Sequence, residues 1–219
     1  MLVWQLPLAP FAGLAWDWAN NLGYLGVAII MLLFIYAGRP RAFPPFSGRF
    51  FANLHRDLGY LALLLVAAHV GLLLAAEPLL LEHLKPSAPL YMLAGLVATV
   101  LLLVLVVSSI TALRRRIWPD YRRFRSLHAW LAIACAVLAG WHVAGSHFYL
   151  NTNFKLAVAG TVAIAVLAYY LSARRGARRR ARFVSRLRNT TAYSHLVSYG
   201  ATLLLVILAL AFVASRSPD

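Results

Sequence analysis

The stretch FANLHRDLGYLALLLVAAHVGLLL, from Phe51 to Leu74, places two histidines, His55 and His69, in a segment that is otherwise mainly apolar. Its length matches the roughly 20 residues that an α-helix needs to cross the hydrocarbon core of a bilayer. An ionisable side chain in such a helix is costly, because lipid offers no water to solvate it. The two histidines are therefore candidate functional groups, and they lie 14 residues apart.

The rest of the chain also has the composition of a membrane protein. Of its 219 residues, 62% are hydrophobic and 12% are charged, which is more apolar surface than a water-soluble domain of this size could bury. We predict an all-α, polytopic helical bundle that forms a single transmembrane domain over 1–219 and begins with an exposed or interfacial leader at 1–21. The six candidate spans cover about 21–37, 54–76, 90–112, 127–147, 154–173 and 191–214.

The basic residues predict the orientation of these spans. Eighteen of the 21 Lys and Arg residues lie in or beside three alternate loops, and cytoplasmic loops are enriched in such residues. We expect these loops to be cytoplasmic and both termini to be outside. The third of them, the Arg-rich loop 174–190, leads to an additional C-terminal helix at 191–214. The net charge of +15 is then mainly a topology signal. A second interpretation is that the arginine-rich loops also bind anionic lipid or an acidic protein. We expect no nucleic-acid partner.

The fourth span repeats the spacing of the second, because His128 and His142 are also 14 residues apart. At ~100° and ~1.5 Å per residue, 14 steps fall about 40° short of four turns and advance ~21 Å, so both rings leave nearly the same face near opposite edges of the bilayer. One helix separates the two spans, so they run in the same direction. His55 and His128 should therefore share one depth, and His69 and His142 another.

Matched pairs of imidazoles on two parallel helices favour haem over other ligands. Imidazole suits iron, and the macrocycle is a large apolar disc that fills a gap between helices. A bare metal ion is a weaker interpretation, because each pair supplies only two ligands. We expect two haems b, with the axial pairs His55/His128 and His69/His142.

Other polar residues near these positions are candidates for supporting roles. Haem propionates need cationic partners, and Arg56 and Arg125 are candidates at the inner haem, although topology alone also explains these arginines. Lys155 is the best candidate on the outer side. His147, His83 and His195 are expected to have interfacial, solvated or capping roles, with ligation by His147 as an alternative.

Aromatic residues and glycines close to the histidines suggest how a macrocycle could be packed. Candidate aromatic contacts are Tyr60, Trp130 and Trp141, and candidate positions of close approach are Gly59, Gly71, Gly140 and Gly145. We count no carboxylate for proton handling within the spans, which favours electron transfer without proton pumping.

The segments HRDLGYLALLLVAAHV and RRFRSLHAWLAIACAVLAGWHV resemble the ferric reductase-like transmembrane domain. That domain is shared by NADPH oxidases, ferric reductases and the haem-binding membrane subunit of the bacterial methionine sulfoxide reductase system. The resemblance covers 50–173 and implies a four-helix haem-binding core in which His55, His69, His128 and His142 are the haem b ligands. No glycine-rich dinucleotide fingerprint, as found in the nicotinamide modules of oxidases, occurs in the chain.

We therefore predict a di-haem b electron-transfer subunit, a transmembrane cytochrome b, in a bacterial-type inner (plasma) membrane. It would pass electrons from a cytoplasmic flavin or flavoprotein, or from a membrane quinol, to a periplasmic redox partner. One alternative is a stand-alone ferric or oxygen reductase acting at the outer haem. A second is a haem-free transporter or structural bundle. Whether the chain is itself an enzyme stays open.

Overall fold

The computed structural model describes residues 13–36, 48–176 and 191–215, and within these ranges it contains helices and no strand. The predicted all-α class is therefore confirmed. A 3-10 helix, Pro78–Leu84, follows the second of seven α-helices. These are α1 (Leu14–Ile35), α2 (Gly48–Ala76), α3 (Leu90–Ser109), α4 (Thr111–Ile117), α5 (Tyr121–Ser146), α6 (Asn153–Gly176) and α7 (Thr191–Ala214).

Six of these helices, all except the short α4, are long and apolar enough to cross a membrane. Their outward faces carry large aliphatic side chains, such as Leu64 at 64% and Ile164 at 70% exposure. Contact with water would cost about 25 cal/mol for each Å² of this apolar surface, whereas contact with lipid tails does not. The chain is a multi-pass membrane protein, and the predicted number of spans is confirmed.

Helix α1 begins well before the predicted position 21, because its polar first turns are satisfied locally. The side-chain amides of Asn20 and Asn21 donate to the carbonyl oxygens of Trp16 and Asp17, at 2.9 and 2.8 Å. These bonds satisfy the two asparagine amides within the helix, so both residues can lie in a membrane-spanning segment. The leader that the sequence suggested therefore stops before Leu14, and its residues 1–12 lie outside the described ranges.

The loop between the third and fourth spans also differs from the prediction. Helix α3 ends at Ser109, and the arginines that follow form the separate α4. Helix α5 begins at Tyr121, six residues early, because the Asp120 carboxylate accepts a hydrogen bond from the backbone N–H of Arg122 at 2.7 Å. An aspartate in this N-cap position stabilises a helix start. Most of the predicted Arg-rich loop, 177–190, lies outside the described residues.

Two helix pairs position the histidines. Helix α2 packs along α1, helix α5 packs along α3, and α7 lies against α2 and α1. The histidine-bearing helices α2 and α5 do not pack side by side; they face each other across a gap. Helix α1, which precedes the core predicted over 50–173, thus forms part of the wall around the histidines.

Candidate functional site

The structure places His55 of α2 opposite His128 of α5. Their ring centroids are 6.2 Å apart and their planes are tilted by 58°. Metal–imidazole bonds of about 2.0–2.1 Å, added to the roughly 1 Å between a ring nitrogen and the ring centre, place two axial imidazoles about 6 Å apart. The separation of these two rings therefore fits one iron ion between them.

Each ring of this inner pair is fixed through Nδ1. His55 Nδ1 lies 3.1 Å from the carbonyl oxygen of Tyr36, which can only accept, so Nδ1–H donates and Nε2 keeps its lone pair. His128 Nδ1 lies 3.4 Å from the hydroxyl oxygen of Ser109. Because that hydroxyl donates its hydrogen to the carbonyl oxygen of Leu105 at 2.6 Å, its oxygen accepts from His128. Both rings thus present Nε2 as the ligating atom.

The outer histidines, His69 and His142, are anchored through Nδ1 in the same way as the inner pair. His69 Nδ1 donates to the carbonyl oxygen of Ala19 at 2.8 Å, and His142 Nδ1 donates to the carbonyl oxygen of Tyr91 at 3.0 Å. All four histidines therefore have the tautomer and the anchoring hydrogen bond that are typical of metal-ligating histidines.

Two glycines allow the outer pair to lie against the neighbouring helices. A Cβ atom at Gly23 of α1 would lie 2.9 Å from His69 Nδ1, and one at Gly95 of α3 would lie 2.6 Å from His142 Nδ1. Separations this short are below van der Waals contact, so glycine is required if the rings are to reach the backbone carbonyls. Sequence reasoning missed both glycines, because neither lies on a histidine-bearing helix.

Most of the glycines that sequence reasoning selected do not have this role. A Cβ at Gly71 or Gly140 would meet no atom of the described residues within 4 Å, and one at Gly59 would only touch Val106 at 4.0 Å. These three glycines are therefore not needed for close contact between the helices, and their role beside a macrocycle stays a prediction. Gly145 is different, since a Cβ there would overlap the side chain of Tyr91, whose carbonyl oxygen holds His142.

A cavity of about 430 Å³ opens at the inner pair and falls in the size range of roughly 300–1,000 Å³ that ligand pockets have. Both predicted arginines, Arg56 and Arg125, line it. Arg114 of α4 is a third lining arginine that sequence reasoning did not single out. The cavity wall combines apolar side chains with guanidinium groups. This combination suits an apolar ligand that carries anionic substituents.

The aromatic surroundings of the histidines are only partly as predicted. Tyr60 lines the inner cavity. Trp130 lies two residues from His128, about 200° around the helix, and it is exposed. The ring that contacts His128 is Phe124, at 5.4 Å between centroids.

The remaining histidines divide into two groups. His147 is the C-cap of α5 in a left-handed conformation with φ of 51°, and His83 lies in the 3-10 helix outside the spans. His195 contradicts its predicted solvated or capping role. Its Nδ1 lies 2.5 Å from an Oδ2 atom of Asp57, in helix α2.

Asp57 is a buried carboxylate inside a span, which corrects the statement that the spans hold no such group. It is 1% exposed. Besides His195, it accepts a hydrogen bond from Ser198 at 3.4 Å and pairs with Arg56 at 3.4 Å. The sequence did contain a signal, because Asp57 and His195 are both ionisable residues within predicted spans and each needs a partner there.

A further polar cluster fixes the end of the bundle near the outer pair. The Tyr149 hydroxyl donates to the buried Asp17 carboxylate at 2.5 Å. Lys155 Nζ donates to the side chain of Asn151 at 2.9 Å and to the carbonyl oxygen of Tyr149 at 3.2 Å. The predicted outer cation, Lys155, thus holds the loop between α5 and α6, and Tyr149 ties that loop to the start of α1.

Six helices that can span a membrane, with four histidines anchored between neighbouring helices, define a multi-pass membrane protein. A family model described as "Ferric reductase like transmembrane component" matches residues 22–139, more than half of the chain. The chain belongs to this family, whose members generally bind haem. Membership in the family indicates a role in membrane electron transfer. The match contains His55, His69 and His128 and ends three residues before His142. Neither the comparison with curated proteins nor that with solved structures gives a match.

Proposed function

We propose that the protein binds two haems b and carries electrons across its membrane. The inner haem would be held by His55 and His128, and the outer haem by His69 and His142. The observation that carries this proposal is the shared geometry of the four rings, each fixed at Nδ1 so that Nε2 is the ligating atom. Haem, when bound, supplies an iron centre that accepts and releases one electron at a time.

The chain contributes binding, orientation and a dry environment. The hydrogen bonds from α1 and α3 hold the imidazoles before a haem arrives, which lowers the entropy cost of coordination. Apolar residues of the gap, such as Leu102 and Leu105, exclude water from the inner site. Arg114 and Arg125 are the proposed partners of the inner propionates, whereas Arg56, which lines the same cavity, is paired with Asp57.

The proposed direction of electron flow rests on the orientation of the protein in the membrane, which the distribution of basic residues indicates. The arginines of α4 and of the start of α5 lie at the end of the bundle near the inner pair, and such residues favour the cytoplasmic side. This orientation places both termini outside, in a bacterial-type inner membrane. A flavoprotein or membrane quinol would then supply electrons at the inner haem, and a periplasmic redox partner would accept them at the outer haem.

Electron transfer can be tested in liposomes that trap ferricyanide, with dithionite added outside. We expect the purified parent protein to reduce the trapped ferricyanide much faster than protein-free liposomes do, because two haems bridge the bilayer. The His69→Ala variant should behave like the protein-free control, since the outer haem is lost. A parent rate equal to that of protein-free liposomes would contradict transmembrane electron transfer. Binding of carbon monoxide by the reduced parent would instead favour a stand-alone reductase with an open axial position.

The glycine contacts yield a second prediction. Gly95→Ala should displace the His142 ring from the Tyr91 carbonyl, and Gly23→Ala should displace His69 from Ala19, so each should lower the outer-haem content to less than half of the parent value. Gly140→Ala is the matched control, because its Cβ meets no described atom within 4 Å. The measurement is the haem-to-protein ratio of purified variants. Equal ratios in Gly95→Ala and Gly140→Ala would show that the close approach is not needed for binding.

A further inference from the structure

A second cleft, of about 370 Å³, lies beside the inner histidine pair. It opens between α2, the junction of α3 with α4, and α7. Its walls combine apolar residues, such as Ile110, with several polar side chains. Its polar lining includes Arg56, Asp57, Tyr60, Ser109, His195 and Tyr199.

The polar floor of the cleft is the pair of Asp57 and His195. Because a carboxylate oxygen accepts from His195 Nδ1 at 2.5 Å, the second ring nitrogen, Nε2, is the one that can serve a ligand. The His195 side chain is 37% exposed, so a ligand can reach it, whereas that of Asp57 is 2% exposed. The ring of Tyr199 stacks on the His195 ring with 6.3 Å between centroids. Asp57 thus positions an accessible imidazole next to an accessible phenol.

The cleft adjoins the inner histidine pair. Ser109 lines the cleft, and its hydroxyl oxygen accepts the hydrogen bond from His128 Nδ1. Arg56 and Tyr60 line both the cleft and the inner cavity. A molecule bound in the cleft would therefore be separated from the inner site by a single layer of side chains.

The charges in the cleft favour a neutral ligand. The Arg56 guanidinium is paired with Asp57 at 3.4 Å, so its charge is already compensated. An anionic lipid headgroup would instead need cations without such a partner. The accessible tyrosine rings suit a planar aromatic group, and the surrounding apolar helix faces suit a hydrocarbon tail.

We infer that this cleft binds the headgroup of a membrane quinone, with the tail in the lipid. This inference rests on the proposed function and selects a quinol, rather than a flavoprotein, as the electron donor. Oxidation of the quinol to a quinone would release two electrons, one at a time, to the inner haem and two protons to the water at the mouth of the cleft, with His195 Nε2 as the first proton acceptor. His195 Nε2 accepts a hydrogen bond from a quinol hydroxyl, while Asp57 keeps the ring oriented and Tyr199 provides a second polar contact. His195 is then a ligand-binding residue, and Asp57 is a positioning residue.

The inference can be tested by direct binding of 2-heptyl-4-hydroxyquinoline N-oxide, a fluorescent quinone analogue, to the purified protein with its haems. We expect saturable binding that decylubiquinone displaces. His195→Asn keeps an amide donor near Asp57 but lacks the second ring nitrogen, and it should bind about tenfold more weakly, since a lost hydrogen bond is worth ~1 to 1.5 kcal/mol. Tyr199→Phe, which removes one accessible hydroxyl and leaves the fold intact, should bind about threefold more weakly.

The matched control is Leu208→Ala, a change at an exposed aliphatic position of the same helix, about 180° around it from Tyr199. It should bind the analogue like the parent. Parental affinity in both His195→Asn and Tyr199→Phe would overturn the inference, and so would displacement by short-chain phosphatidylglycerol as effective as that by decylubiquinone. Haem content is measured on the same samples. Two haems without analogue binding would refute only the quinone site, whereas absence of haem from the parent would refute the proposed function itself.

Discussion

Replacing one histidine of each pair, as in His55→Ala/His142→Ala, is expected to abolish haem binding completely. Replacing both histidines of one pair, as in His55→Ala/His128→Ala, should leave one haem per protein. The reason is that each proposed haem takes one ligand from α2 and one from α5, so two changes at one depth damage one site and two changes at different depths damage both. Single changes at any of the four histidines should each leave one haem.

The measurement is the pyridine haemochrome content per mole of purified protein, where we expect two haems b in the parent. His83→Ala is the control for loss of a histidine away from the pairs, and it should keep both haems. The pairing would be refuted if His55→Ala/His142→Ala retained one haem or if His55→Ala/His128→Ala retained none. A parent without haem would favour the interpretation as a transporter or structural bundle.

Asp57→Ala is expected to destabilise the bundle strongly. The change removes a buried carboxylate and leaves His195 of α7 and Arg56 of α2 without their partner. Breaking a fully buried ion pair costs about 3–5 kcal/mol, and we expect roughly 2–4 kcal/mol here because His195 and Arg56 stay partly exposed. The free energy of unfolding can be measured by titration with a denaturing detergent.

Glu82→Ala is the matched control for this prediction. Glu82 also forms an ion pair, with Lys85, but both side chains are well exposed. Exposed pairs contribute about 0–1 kcal/mol, so the control should unfold close to the parent. Asp57→Asn should lie between the two variants, because the amide keeps an oxygen that accepts from His195. Equal stability of Asp57→Ala and Glu82→Ala would mean that the pair does not hold α7 to α2.

Much of the site follows from local properties of the sequence. Hydropathy over about 20 residues predicts each span, since a spanning helix must place apolar side chains in lipid along its whole length. The fixed rotation and rise of the α-helix predict that histidines 14 residues apart share a face, and the order of the spans predicts which histidines share a depth. These two rules together predicted both pairs, and the structure places the rings of the inner pair, His55 and His128, opposite each other.

The predicted span boundaries were less accurate for a related reason. Hydropathy detects the lipid-embedded part of a helix, whereas hydrogen bonding determines where the helix begins and ends. Asn20 and Asn21 bond within the first turns of α1, and Asp120 caps α5, so both helices extend beyond their apolar segments.

By itself, then, the sequence determined the all-α class and the six spans, and it predicted that the histidines face each other in pairs, because hydropathy and helical periodicity act within one helix at a time. The tertiary structure decided which backbone carbonyls anchor the rings, why Gly23 and Gly95 must be small, and that Asp57 meets a histidine 138 residues later. These contacts depend on how each helix is rotated against its neighbours. That rotation results from packing between helices distant in the sequence, and no local pattern reports it.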